Sequence, residues 1–180
     1  TVASFVMWFL FPFYVADVLG RSGLTLGALL ALMAAMNFLG SGISGWIADR
    51  VGDRTITFIG TILTAIGLVL TGTAGENPEM SRVVISTTVL GLGFGIHQAA
   101  VYALTLRGTP SEHVGSTSAA LTVSQTIGTV MSIALMMSLL NWRQDSQNAT
   151  FTEAYQFAYL TAAGIAVISG LVVLRLRRKT

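Results

Sequence analysis

The chain has 180 residues, of which 53% are hydrophobic and only 10% are charged, and its mean hydropathy is +0.72. A soluble domain carries roughly 25% charged residues, so this composition excludes an ordinary soluble protein, a disordered chain and a nucleic-acid-binding domain. The absence of cysteine excludes a disulfide scaffold, a zinc ribbon and a thiol enzyme.

Six apolar runs separated by polar turns are each long enough to cross a membrane, which takes about 20 residues. None of the runs alternates apolar and polar residues over a sustained length, so we expect helices and not a membrane β-barrel. The longest polar connection is 141–152, between the fifth and sixth runs. The predicted spans are 2–19, 25–48, 55–74, 83–106, 115–140 and 154–174.

The charges between the spans predict an orientation, because Lys and Arg concentrate in cytoplasmic loops. Seven of the ten cations follow the second span, the fourth span and the sixth: Arg50, Arg54, Arg107, Arg175, Arg177, Arg178 and Lys179. We therefore expect the C terminus to be cytoplasmic. Tyr155 and Tyr159 are expected in the aromatic belt at the outer end of the sixth span.

The most informative motif is a charged hairpin, GWIADRVGDR, that begins at Gly45 between the second and third spans. Gly45 is expected to allow close helix approach, and Gly52 to permit a turn. A carboxylate such as Asp49 at the membrane edge requires a cation or a helix N terminus, and Arg50 and Arg54 are the nearest candidates. Alternatively, the loop is solvated and only sets the topology.

This hairpin resembles the G-x-L-A-D-R-x-G-R-K motif of the major facilitator superfamily of transporters. Asp53 stands where that family usually has Arg. Other stretches extend the resemblance over the chain, which is most similar to the 14-helix drug:proton antiporter branch. The matching residues are Gly45, Ala48, Asp49, Arg50, Gly52 and Arg54 in the hairpin, and Pro12, Gly91, Gly93, Gly95, Pro110, Gly115, Gln125 and Gly128 elsewhere.

The resemblance implies an all-α integral membrane fold. Residues 1–180 would form the C-terminal six-helix bundle of a transporter, with the first and last three helices as inverted repeats. The chain starts with Thr1 and not Met, so we expect an N-terminal half that is missing here and packs against this bundle. Asp49 would then act as a latch, closing the cytoplasmic side by pairing with a helix end of the other half.

The implied function is secondary active transport of a small molecule by alternating access, most specifically proton-coupled multidrug efflux across the plasma (inner) membrane of a bacterium. Two alternatives stay open: a metabolite uptake facilitator of the same superfamily, and a non-transporting membrane subunit. The expected partners are the other half, the lipid bilayer, the substrate and protons, without nucleic acid.

Polar residues within the spans are the candidates for a substrate cavity. His97 is the only titratable group deep in a span. It either binds protons or is a neutral imidazole hydrogen-bonded between helices. Polar stripes at helical spacing on three spans predict a shared cavity, although such residues also pair between helices for about 0.6 kcal/mol. The cavity candidates are Asn37, His97, Gln98, Tyr102 and Gln125.

Motifs of enzymes are missing from the sequence. There is no H-E-x-x-H, no G-x-S-x-G and no P-loop, so we expect no enzyme, no cofactor and no metal, and pumping driven by an ion gradient. Gly91 and Gly95 predict a small-xxx-small helix contact instead of a nucleotide loop. Gly40, Ser44 and Ala48 predict the same on the second span.

Overall fold

The computed structural model describes residues 11, 12, 14, 15, 22–75, 78–147 and 150–175. Its five α-helices correspond to the second to sixth predicted spans, and each is long and apolar enough to cross a membrane. The predicted all-helical fold is therefore confirmed for the described residues. Their bounds are α1 (Gly23–Val51), α2 (Asp53–Gly72), α3 (Met80–Leu106), α4 (Val114–Gln147) and α5 (Phe151–Arg175), with a short 3-10 helix at Ser111–His113.

The predicted count of six helices depends on the first span, most of which lies outside the described residues. Of its four described residues, Phe11, Tyr14 and Val15 are buried in the main apolar cluster. The Tyr14 ring stacks on Tyr155 of α5 at 5.0 Å between centroids. This part of the chain therefore contributes to the core of the bundle.

Helix α3 lies between α1 and α2, and glycines allow all three backbones to approach closely. A Cβ atom added to Gly40 of α1 would lie 2.5 Å from the carbonyl oxygen of Leu92 on α3. A Cβ on Gly93 of α3 would lie 2.5 Å from the amide nitrogen of Thr64 on α2. Real Cβ atoms do not approach other atoms so closely, so these crossings require glycine.

The small-residue contacts predicted from spacing are confirmed. A Cβ on Gly91 would lie 2.7 Å from the Met33 carbonyl oxygen, and one on Gly95 would overlap the Asn37 carbonyl. On the facing side of α1, the Ser44 hydroxyl donates a hydrogen bond of 3.1 Å to the Ile96 carbonyl. Residues four apart share a helix face, which is why one stripe of small residues can meet another.

Helix α5 packs against the other side of α2, so the helices follow the spatial order α1, α3, α2, α5. A Cβ on Gly72 of α2 would lie 2.8 Å from Cβ of Tyr159. Helix α4 contacts α5 more than α3 and leaves many apolar side chains exposed. The centre of the described bundle is therefore the α1–α3–α2 unit.

The structure corrects two predicted helix boundaries. The hairpin is not a loop over Asp49–Arg54, because α1 continues through Val51 and α2 begins at Asp53. Gly52 alone separates them, with φ of +86°, a value that glycine adopts without strain. Helix α4 runs to Gln147 instead of ending at 140, because the polar stretch after 140 contains no Gly or Pro to stop it.

The prediction of an interfacial aromatic belt is wrong for Tyr155 and Tyr159. Both side chains are at most 1% exposed and belong to the core. Their rings lie 4.5 Å apart, and Tyr14 completes the stack. An aromatic residue at the end of a span can face either lipid headgroups or neighbouring helices, and here the neighbouring helices surround it.

We predict that Gly93→Ala destabilises the bundle by about 1–3 kcal/mol, the usual cost of overpacking a close contact. Gly42→Ala is the matched control, because a Cβ there would meet nothing within 4 Å. The free energy of unfolding should be measured in detergent by circular dichroism. Equal stability of the two variants would contradict the close-packing account.

Candidate functional site

The charged hairpin is tied to the end of α3 by Arg107. Arg107 Nη2 donates a hydrogen bond of 3.1 Å to Asp49 Oδ1 near the end of α1. Arg107 Nη1 lies 3.4 Å from Asp53 Oδ1 at the start of α2. One guanidinium therefore contacts carboxylates from both helices of the hairpin, which fixes three helix ends together.

The two carboxylates differ in their exposure. The Asp49 side chain is 70% exposed, whereas that of Asp53 is 12% exposed. Asp53 Oδ1 is buried and makes no hydrogen bond among the described residues, because its contact with Arg107 does not have hydrogen-bond geometry. The ion pair with Arg107 is thus the interaction that offsets the burial of this charged oxygen. Asp49 keeps most of its surface open to a further partner.

The expected partners of Asp49 within the hairpin are wrong. Adjacent residues on a helix point in different directions, so Arg50 turns away from Asp49. Its guanidinium carbon lies 3.8 Å from the ring centroid of Trp46, one turn back on α1. Arg54 lies half-buried at the start of α2, and neither of the Asp49 and Asp53 ion pairs involves it.

Gly45 does not have the packing role expected of it. It is exposed, and a Cβ there would meet nothing within 4 Å among the described residues. Its neighbours Ser44 and Ala48 face α3 instead and are buried. Gly45 therefore lies on a surface that the described helices leave open.

A polar cavity of about 780 Å³ opens between the hairpin and the end of α3. The three charged residues of the ion pairs line it together with Arg54. The arrangement can neutralise the hairpin charges internally while leaving Asp49 accessible. Its remaining lining residues are Ala48, Val51, Gly52, Thr55, Leu104 and Gly108.

The candidate cavity residues within the spans fall into two separate contacts. His97 Nδ1 lies 3.0 Å from Thr61 Oγ1 on α2. The Thr61 hydroxyl donates to the Thr57 carbonyl at 2.7 Å, so the imidazole N–H is assigned as the donor to Thr61. The predicted roles of His97 were proton binding and a hydrogen bond between helices. The structure shows the hydrogen bond between helices.

Tyr102 and Gln125 form the second contact. The Tyr102 hydroxyl on α3 donates to Gln125 Oε1 on α4 at 3.1 Å. Gln98 is half-buried on α3. Asn37 is half-buried on α1, where its carbonyl faces Gly95. The structure thus brings together one pair of the five candidates, and cavity lining stays a prediction for all of them.

The hydroxyl groups of the polar stripes are used mostly within their own helices. Thr105, Thr122 and Thr129 each donate to the carbonyl four residues earlier. Every hydroxyl of the buried threonine stripe on α2 does the same. Because such hydroxyls need no water, a threonine stripe does not by itself indicate a cavity.

The described residues also contain no group of three or more His, Asp or Glu placed to hold a metal.

The sequence reasoning missed the central residue of the site. From sequence, Arg107 counts only among the charges that set the topology, although it ends the span on the same side as the hairpin. Its separation of 58 residues from Asp49 hides the pairing from local motif analysis. Charges at the same depth on neighbouring helices were the signal that could have identified it.

We predict that Arg107→Gln lowers the free energy of unfolding by about 1 kcal/mol, because it leaves the buried Asp53 oxygen without its cation. Asp53→Asn should restore most of this loss in the Arg107→Gln background. The measurement is unfolding in detergent, with Arg54→Gln as the control for removal of a nearby cation, because Arg54 forms neither of the two ion pairs. The coupling would be refuted by equal losses in the single and double variants.

Comparisons with known proteins match the chain to one family over its whole length. The family model described as Major Facilitator Superfamily matches residues 1–180. The chain is 26% identical to the uncharacterized transporter YebQ of Escherichia coli strain K12, over 93% of the chain and 36% of the relative. It is 29% identical to a triacylglyceride transporter of Mycolicibacterium smegmatis, over 78% of the chain and 32% of the relative.

A fungal relative carries a more specific name. The chain is 27% identical to the efflux pump DEP3 of Fusarium langsethiae, over 75% of the chain and 25% of the relative. In these matches the chain spans about a third or less of each relative's length.

Proposed function

The chain belongs to the major facilitator superfamily, and from that premise we propose that it forms the C-terminal half of a secondary transporter. An N-terminal half would pack against it, with the substrate between the halves near the middle of the membrane. The observation that carries this proposal is the Asp49–Arg107 pair, in which Asp49 belongs to the hairpin that resembles the motif of the family and Arg107 ends α3. Its exposed carboxylate provides a contact for a second half.

The transported substrate is proposed to be an apolar or cationic drug, exported in exchange for protons. The central stretches of the spans lack Lys and Arg, which an importer of anions would need. Tyr102 and Gln125 provide an uncharged polar contact between α3 and α4. The name of the fungal relative supports export. An acidic residue in the other half would carry the proton, since α1–α5 contain none at mid-span.

The hairpin is proposed to act as a latch on the cytoplasmic side. Arg107 holds the ends of α1, α2 and α3 in one position, so Asp49 is presented at a fixed place. In the closed state its open surface would pair with a helix N terminus of the other half, where the helix dipole favours a carboxylate. Opening would break that contact and leave the Arg107 pair intact.

We predict that Asp49→Asn reduces transport about fivefold or more, as expected for loss of a contact that biases a two-state equilibrium, while insertion into the membrane is unchanged. The transport rate should be measured in cells that express the complete open reading frame containing this chain. Glu112→Gln is the matched control, because Glu112 is an exposed acid beyond the end of α3 and forms neither hairpin ion pair.

The Arg107→Gln variant separates the latch from the internal ion pair. If Asp49 acts on the other half, Asp49→Asn lowers transport more than Arg107→Gln does. If Asp49 acts only through Arg107, the two variants and their combination transport equally slowly, and the latch proposal is wrong. Normal transport by Asp49→Asn would also contradict it.

Ethidium efflux tests the transport function itself. Cells expressing the same reading frame should lose preloaded ethidium faster than control cells, and a protonophore should abolish the difference. Efflux that persists with the protonophore would argue against proton coupling. Uptake of a metabolite without any ethidium efflux would favour the facilitator alternative, and no transport of either would favour a non-transporting subunit.

A further inference from the structure

An apolar groove of about 380 Å³ runs between α2 and α5, away from the charged hairpin. Its residues recur at helical spacing on both helices. Small residues form its floor, where Ala65 and Ala163 are at most 5% exposed, whereas larger side chains form its walls. The lining residues are Ile62, Ala65, Ile66, Val69 and Leu70 of α2, and Leu160, Ala163, Gly164 and Val167 of α5.

The groove is open beside Gly164. A Cβ on Gly164 would meet nothing within 4 Å, so space is free beside its backbone. From Ile62 to Leu70 the α2 wall extends about 12 Å at 1.5 Å per residue. The lining is almost entirely carbon, which does not suit a polar ligand. A slender hydrocarbon chain fits this shape and this chemistry.

Arg82, in the first turn of α3, contacts Thr73 at the end of α2. Thr73 follows Val69 by one turn on the same face of α2, and its hydroxyl donates to the Val69 carbonyl at 2.7 Å. Arg82 Nη2 donates to the Thr73 carbonyl at 2.9 Å and to Thr73 Oγ1 at 3.0 Å. These bonds hold the guanidinium at Thr73, about 6 Å or one helical turn beyond the groove residue Val69 along α2.

The guanidinium keeps donors available for an anion. Both of its hydrogen bonds to described residues come from Nη2, which leaves Nη1 and Nε. The nearest described acid along the chain, Glu79, accepts from Ser81 at 3.2 Å. Arginine binds phosphate oxygens through paired N–H donors. A phosphate at Arg82 and a hydrocarbon chain in the groove are the two parts of one phospholipid molecule.

We propose that this groove binds one acyl chain of an anionic phospholipid whose phosphate contacts Arg82. The proposal is independent of the transported substrate and of the hairpin latch. It assigns a function to the open apolar groove between α2 and α5. A lipid bound there would fill the space between the two helices and stabilise their packing by van der Waals contact.

Native mass spectrometry of the protein in detergent tests the proposal. With added phosphatidylglycerol or phosphatidylcholine, we expect one retained lipid and a preference for phosphatidylglycerol. Arg82→Gln should remove that preference, a loss of about fivefold for one basic residue near an anionic headgroup. Arg175→Gln, at the exposed end of α5, is the control and should retain the preference.

Gly164→Leu should lower retention of both lipids about threefold, because it fills the groove and removes packing contacts. Gly42→Leu is the matched control, since a Cβ at Gly42 also meets nothing within 4 Å. If circular dichroism shows that Gly164→Leu is unfolded, Leu160→Ser in the groove and Leu171→Ser outside it provide the same comparison, because both leucines are exposed.

Several results would overturn the proposal. Unchanged retention in Gly164→Leu and Leu160→Ser would show that the lipid binds elsewhere. Equal retention of both lipids by the unaltered protein would show that Arg82 does not select an anionic headgroup. Dimers that disappear in Gly164→Leu would show that a second copy of the chain occupies the groove.

Discussion

The close crossing of α3 with α1 and α2 is the contact on which the rest of the structure depends. Glycines on all three helices bring backbone against backbone, where any side chain would overlap the neighbouring helix. Within a membrane, apolar burial does not favour one helix contact over lipid, so close van der Waals packing has to stabilise association. The hydrogen bond between Ser44 and Ile96 lies in the same crossing and adds to it.

The functional surfaces are arranged around this unit. At one end Arg107 fixes the α1–α2 hairpin to α3 and presents the exposed Asp49. Five residues before Arg107 on α3, Tyr102 pairs with Gln125 and joins α3 to α4. Helix α4 packs less closely than the other helices, so it is the element best able to shift relative to the unit. A rigid unit with one looser helix suits a half that rocks as a body.

The sequence predicted the parts of the fold that are encoded locally. Apolar runs identified five helices, and the four-residue spacing of Gly91 and Gly95 identified a helix contact. Predictions from local sequence failed where one sequence pattern is compatible with two different structures. Polar residues after 140 continue α4 because nothing in them stops a helix. Tyr155 and Tyr159 were expected in the aromatic belt at the membrane surface, but their side chains are buried among the helices. Asp49 pairs with a cation 58 residues away, a contact that only the packed helices define.

Spin-label distances test most directly whether the glycine-packed helices move as one body. This chain has no cysteine, so Gly42→Cys on α1 and Ile59→Cys on α2, both exposed, are the labelling sites in the complete reading frame, with any cysteine outside this chain replaced. The distance distribution should be recorded by double electron–electron resonance with and without ethidium. The account predicts one narrow distance that ethidium leaves unchanged. A second distance appearing with ethidium would show that α1 and α2 separate during transport and would contradict it.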